Sequence, residues 1–275
     1  MRPGPRAGGG CRHQDAPRAG LSTMFPLRDT IPSRHVPVAT WALIAINMLV
    51  FLCQLLLPEE TREQQVYLYG LVPARFSDPG WAASMGFPAA SLWPFVTTMF
   101  LHGGWFHILA NMWTLWIFGD NVEDRMGPPR YLCFYLLCGV AAGFLHLLTN
   151  LDSTVPTIGA SGAIAGVLGA YLRLYPRARI LTLIPIFIIP FFFELPAYFY
   201  LGFWFLSQLF SGTFSIGSSG AAGVAWWAHV GGFVTGFVLC PLFLRRSAGL
   251  PPPERHFVLP AVAPRAGGRS HDPWS

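Results

Sequence analysis

Gly159-Ala160-Ser161-Gly162-Ala163-Ile164-Ala165-Gly166-Val167-Leu168-Gly169-Ala170 decides how this chain is read. A serine with small neighbours on both sides stands at the mouth of an apolar run, so its hydroxyl and its backbone N–H are both approachable. Past it, Gly162, Ala163, Ala165, Gly166, Gly169 and Ala170 recur at three- and four-residue spacing, the small-residue face by which membrane helices pack closely. The run predicts a helix over 161–175, closed by Pro176. Such a helix rises only about 22 Å, against a hydrocarbon core about 30 Å thick, so it starts below the membrane surface. By itself the pattern also suits a serine that packs or bonds back to its own helix. The rest of the chain decides between the two.

Hydrophobic residues make up 53% of the 275 residues and charged residues only 11%, less than half the share usual in soluble domains. Several apolar runs reach the roughly 20 residues that a bilayer crossing needs. The composition therefore describes a polytopic membrane protein. The net charge of +5 comes from arginine alone, since the chain has no lysine. These arginines form no single basic face, which argues against nucleic acid as a partner. Of the five cysteines, Cys53, Cys133, Cys138 and Cys240 lie in apolar segments and Cys11 stands apart, so neither a disulfide framework nor a metal cluster is expected.

Six spans are expected, over 38–57, 104–119, 131–148, 161–175, 191–210 and 221–244. A long polar-to-amphipathic loop fills 58–94, and a charged turn fills 120–130. The apolar stretch 180–190 carries two prolines and reads as an interfacial or re-entrant piece. Residues 1–36 and 247–275 are rich in Arg, Pro and Gly and read as disordered tails around a membrane domain over 37–246. Six spans put both termini on one side. Of the 18 arginines, only Arg62 and Arg75 then fall opposite, so the termini are expected to be cytoplasmic. The starts of the fourth and sixth spans face outward.

Strongly polar side chains within spans mark function by default. His229 lies about two turns into the sixth span, with Gly232 and Gly236 on or near its face. If that glycine face meets the small face of the fourth span, Ser161 and His229 enter from one side at similar depth, as a nucleophile and its base require. In the second span His107 and Asn111 are spaced i, i+4 and share a face, with His102 just ahead. Two donors there suit the oxyanion formed when a serine attacks an amide. Interhelical hydrogen bonding is the plainer use of each of these residues.

Taken in order, His102 with His107 and Asn111, then Gly159-Ala160-Ser161-Gly162, then Ala228-His229 with Gly232 and Gly236, on a six-span basic layout, resemble the rhomboid intramembrane serine proteases. The resemblance covers about 37–246. It implies an all-α, six-transmembrane-helix rhomboid bundle with Ser161 as nucleophile and His229 as general base, without the usual carboxylate. His107, Asn111 and the Ser161 N–H would form the oxyanion hole. His102 would organise the first loop, and Gly159, Gly162, Gly232 and Gly236 would shape the site. No metal or other cofactor is implied. Two departures stand out: Trp93 is followed by Pro94 where members often have arginine, and Ala165 stands where many have an aromatic on which the histidine stacks. His229 must therefore be oriented in another way.

Asn47 and Gln54 read as packing residues, His146 as interfacial, and Glu194 as lying near the inner end of the fifth span. The expected activity is endopeptidase cleavage of single-span membrane proteins near the outer bilayer face. The competing expectation is a rhomboid-like protein that binds membrane clients without cutting them. Arginine without lysine, with heavy Ala, Gly and Pro use, leads to the expectation of a bacterial cytoplasmic membrane.

Overall fold

The computed structural model describes residues 24–88, 91–186, 189–215 and 225–245. The tail expected over 1–36 enters that range only at residue 24; the one expected over 247–275 lies outside it. In chain order, strand β1 (Phe25–Asp29) precedes helix α1 (Val38–Leu55), and short helices α2 (Glu59–Tyr69), α3 (Ala74–Ser77), α4 (Pro79–Ser84) and α5 (Pro94–Thr97) follow. Then come α6 (Trp105–Met126), α7 (Pro128–Thr149), α8 (Ser161–Leu174), strands β2 (Arg179–Ile186) and β3 (Ile189–Pro196), and helices α9 (Ala197–Ser215) and α10 (Trp226–Phe243).

The molecule is mostly helical. Among the described residues, α1, α7 and α10 are long and apolar enough to cross a membrane, and α8 is apolar but shorter. Large apolar side chains such as Trp41, Leu49, Phe106, Phe144, Phe210 and Leu242 stand exposed. So extensive an apolar exterior suits a bilayer. At the centre sits α8, packed by α10, α7, α6 and α9. Every residue from Gly162 to Tyr171 is buried, as expected of a helix that is apolar on all sides.

Three expectations about elements are corrected. The stretch 58–94 is not an irregular loop but carries α2 to α4 and the start of α5. The side chain of Asp78 caps α4 by accepting the Trp81 N–H at 2.9 Å. The charged stretch 120–130 is no turn up to residue 126, because α6 continues to Met126. The cause is the buried Glu123, which accepts the backbone N–H groups of Ala39 at 2.9 Å and Thr40 at 2.8 Å, and the Thr40 hydroxyl at 2.8 Å. That carboxylate supplies the N-terminus of α1 with the acceptors its first turn lacks. The turn itself falls at Gly127, with φ +77°, and Pro128 opens α7, where a missing N–H costs nothing.

The third correction concerns 180–196. These residues form an antiparallel hairpin, β2 with β3, joined on its other side by β1. The expected all-α class therefore acquires a three-stranded sheet. The fifth helix starts at Ala197 rather than near Phe191. Ile180, Thr182, Ile184, Phe191, Phe192 and Phe193 are β-formers. The two prolines, Pro185 and Pro190, face each other across the hairpin, beyond the end of β1 pairing at Leu183, so neither interrupts that ladder. Glu194 lies on β3, 4.0 Å from Arg179 on β2, and not inside a span.

Candidate active site

The site is built where α8 and α10 touch backbone to backbone. A Cβ on Gly232 would stand 1.9 Å from the Gly162 carbonyl oxygen, and one on Gly236 would stand 1.9 Å from that of Gly166. A Cβ on Gly169 would meet the Phe233 oxygen at 2.1 Å. Only glycine permits this approach. The contact brings Ser161, the first residue of α8, to His229 in the first turn of α10: Ser161 Oγ lies 2.8 Å from His229 Nε2.

The other ring nitrogen, His229 Nδ1, lies 2.7 Å from Gln208 Oε1 on α9. Trp204, one turn earlier on α9, sets its ring near the imidazole, with centroids 5.8 Å apart and planes 35° from parallel. The small Ala165 is thus matched by an aromatic and an amide from a different helix.

On the opposite side, α6 presents His107 and Asn111 toward Gly159. Gly159 has φ +126°, and a Cβ there would stand 2.7 Å from His107 Nε2 and 3.7 Å from Asn111 Nδ2. The two side-chain nitrogens therefore converge on the backbone two residues before Ser161. Asn111 Nδ2 is buried without a hydrogen-bond partner among the described residues; a donor left so is costly unless something arrives to accept from it. His102 is buried and packs its ring edge-on against His107 at 5.1 Å. Its backbone N–H donates to Gln54 Oε1 at 3.2 Å, so Gln54 does more than pack.

The segment ahead of Ser161 is tied down from three sides. Thr157 exchanges two backbone hydrogen bonds with Leu71, at 2.8 and 3.0 Å. The Gly159 N–H donates to the Thr98 carbonyl at 2.9 Å, and the Thr98 hydroxyl donates to the Thr157 carbonyl. His146 is buried rather than interfacial. Its Nε2 lies 2.7 Å from Thr157 Oγ1, and its Nδ1 lies 3.3 Å from Asn150 Nδ2.

Sequence reasoning missed Thr98, Thr157, Trp204 and Gln208. A signal existed for Gln208, an amide within a strongly apolar helix. Threonines and tryptophans are too common at membrane boundaries to stand out.

A helical membrane bundle with a serine and a histidine hydrogen-bonded across a glycine contact defines a narrow class, and the comparisons agree with it. The chain belongs to the rhomboid family: the family's Rhomboid domain matches residues 89–246. It is similar to RHOMBOID-like protein 6, mitochondrial, of Arabidopsis thaliana, 32% identical over 151 residues that cover 54% of this chain and 42% of that protein. It is also 32% identical to Rhomboid protein 1, mitochondrial, of Saccharomyces cerevisiae over 93 residues, 32% of this chain and 27% of that one. Against Presenilin-associated rhomboid-like protein, mitochondrial, of Homo sapiens, it is 32% identical over 97 residues, 34% of this chain and 26% of that one. The matched stretches span less than half the length of these relatives.

These relatives are eukaryotic and mitochondrial by name. They overturn the expectation of a bacterial cytoplasmic membrane. Arginine without lysine reflects the base composition of a gene, and no physical force ties it to one kind of membrane.

Proposed function

We propose that the chain is an intramembrane serine endopeptidase acting on single-span membrane proteins. The observation that carries this reading is the 2.8 Å contact between Ser161 Oγ and His229 Nε2. On this reading α1, α6, α7, α8, α9 and α10 are the six spans, with both termini on the arginine-rich side. The Ser161 hydroxyl gives its proton to His229 Nε2 as its oxygen attacks a peptide carbonyl of the substrate. The negative charge that develops on the carbonyl oxygen is met by His107, Asn111 and the Ser161 N–H. Collapse of the intermediate breaks the C–N bond, and the leaving amine takes the proton from His229. Water, deprotonated by the same nitrogen, then releases the acyl group from Ser161.

Gly159, Gly162, Gly232 and Gly236 let the backbones come close enough for these side chains to meet, and His102 buttresses His107. A substrate helix must unwind at the cut, because its carbonyls are otherwise occupied in helical hydrogen bonds.

The deciding experiment pairs a fluorophosphonate reagent with a single-span reporter substrate in proteoliposomes. Wild type should take the label on Ser161 and cut the reporter. Ser161→Ala and His229→Ala should do neither while keeping their thermal unfolding in detergent, because removing either member of a unit removes nearly the whole rate. A wild type that binds the reporter but neither labels nor cuts would sink the protease reading in favour of a client-binding protein.

A further inference from the structure

We propose that Gln208 is the positioning residue of the serine–histidine pair: its side-chain carbonyl accepts the His229 Nδ1–H and so keeps the Nε2 lone pair aimed at Ser161. This rests on the protease reading above and explains how His229 is held without a carboxylate.

The direction of each hydrogen bond follows from one fixed end. The Trp204 backbone carbonyl can only accept, and the Ser207 hydroxyl lies 2.6 Å from it. The single hydroxyl proton of Ser207 is therefore committed there, and its oxygen is left as an acceptor. Gln208 Nε2 lies 3.0 Å from that oxygen and donates to it. The amide nitrogen being engaged at Ser207, the amide oxygen is the atom that faces His229 Nδ1 at 2.7 Å. An oxygen there requires Nδ1 to carry the proton. A neutral imidazole has only one, so Nε2 presents a lone pair to the Ser161 hydroxyl at 2.8 Å. Amide and imidazole orientations are assigned from networks of this kind, and here the backbone carbonyl anchors the whole chain.

Trp204, Ser207 and Gln208 are spaced i, i+3 and i+4, so one face of α9 supplies every part. Gln208 is only 7% exposed. So little exposure leaves water little opening to compete for the amide, which favours one orientation. Trp204 limits ring rotation from the side. A glutamine cannot neutralise the imidazolium formed during attack, so its contribution is tautomer and aim rather than charge.

The test reads the tautomer and the chemistry separately, on full-length protein in detergent. Ring 15N NMR of histidine-labelled protein, with the His229 signals identified by their loss in His229→Ala, should show Nδ1 protonated in wild type. Gln208→Glu keeps an acceptor oxygen and should preserve that tautomer, with labelling by fluorophosphonate close to wild type. Gln208→Met keeps the length without the acceptor. It should give mixed tautomers and labelling about 10–100-fold slower, the range seen when a metal-binding histidine loses the partner that orients it. Ser207→Ala is a second, milder variant; it frees the amide to turn over and should lower labelling in the same direction. Wild type with Nε2 protonated, or Gln208→Met with an unchanged tautomer and wild-type labelling, overturns the proposal. Wild type with Nδ1 protonated but no labelling at all supports the Gln208 contact and overturns the protease reading instead.

Discussion

Gly159 couples backbone conformation to chemistry in one residue. Its φ of +126° disfavours any side chain, and a Cβ there would press on His107 Nε2 at 2.7 Å. Gly86 also has a positive φ, +74°, but none of the described residues lies within 4 Å of the place its Cβ would take. The pair separates strain from displacement. Gly159→Ala is expected to slow labelling of Ser161 by about 10²–10³, as for loss of an oxyanion-hole donor, whereas Gly86→Ala should leave it unchanged. Equal labelling rates in the two variants would mean that Gly159 shapes only the chain and not His107. Asn111→Ala belongs to the same scale and the same range of loss, because Asn111 Nδ2 has no partner to release; wild-type labelling in that variant would make Asn111 a packing residue.

Elements owe their positions to single atoms that the sequence hides to different degrees. The starts of α1 at Val38 and α8 at Ser161 coincide with the spans expected from hydropathy, since Pro37 and the small-residue motif mark them. The length of α6 was not legible. Asp120, Glu123 and Asp124 read as a solvated turn, and only the folded chain reveals that Glu123 caps a helix distant in sequence. Glu123→Ala would strand two backbone N–H groups and should cost about 1–3 kcal/mol, measured as a lower unfolding temperature.

The hairpin was hidden for a different reason. A short apolar run has no periodicity to tell a strand from a membrane helix. At the glycine seam, Gly236→Ala should lower the unfolding temperature and slow labelling together, because its Cβ meets a backbone oxygen at 1.9 Å. Gly202→Ala on α9 meets nothing within 4 Å and should be neutral or stabilising by about 0.5–1 kcal/mol. If both behave alike, the seam is looser than its geometry.

At the scale of the whole molecule, the residues of the proposed site were legible and their orientation was not. Ser161, His229, His107 and Asn111 stand out because polar groups are rare in apolar helices. Gln208 and Trp204 matter only through the way α9 faces α10, which no local pattern encodes.

The sheet ties the start of the described chain into the bundle. Asp29, at the end of β1, accepts from the Tyr171 hydroxyl of α8 and from Asn121 Nδ2 of α6. Burial pushes its carboxyl from the ordinary 3.8 up to about 7, an effect the Tyr171 hydroxyl opposes. The folded state therefore holds this proton more tightly than the unfolded one. Its contribution to stability is full below about pH 4 and is lost as pH rises to about 7. Asp29→Asn should flatten that slope and raise the unfolding temperature at pH 8, as measured by thermal scans in detergent; a slope identical to wild type would place the titration on another group.

The relay from Ser161 through His229, Gln208 and Ser207 ends on a backbone carbonyl, which neither gains nor loses a proton. On the proposed mechanism, the oxyanion and the imidazolium appear together and cancel together, and no proton leaves for either side of the bilayer. A full charge crossing a membrane couples to the electrical potential by about 2.3 kcal/mol per 100 mV. The proton passes between two atoms 2.8 Å apart within a core about 30 Å thick, so it feels less than about a tenth of that, even if it moves along the membrane normal. Cleavage in proteoliposomes should therefore change by less than about 1.5-fold when a potassium gradient and valinomycin impose 100 mV of either sign. A steep voltage dependence would mean that charge travels farther than this neutral chain allows. On the proposed mechanism, energising a membrane and cutting within it are independent operations, so that a collapsed potential leaves cleavage running.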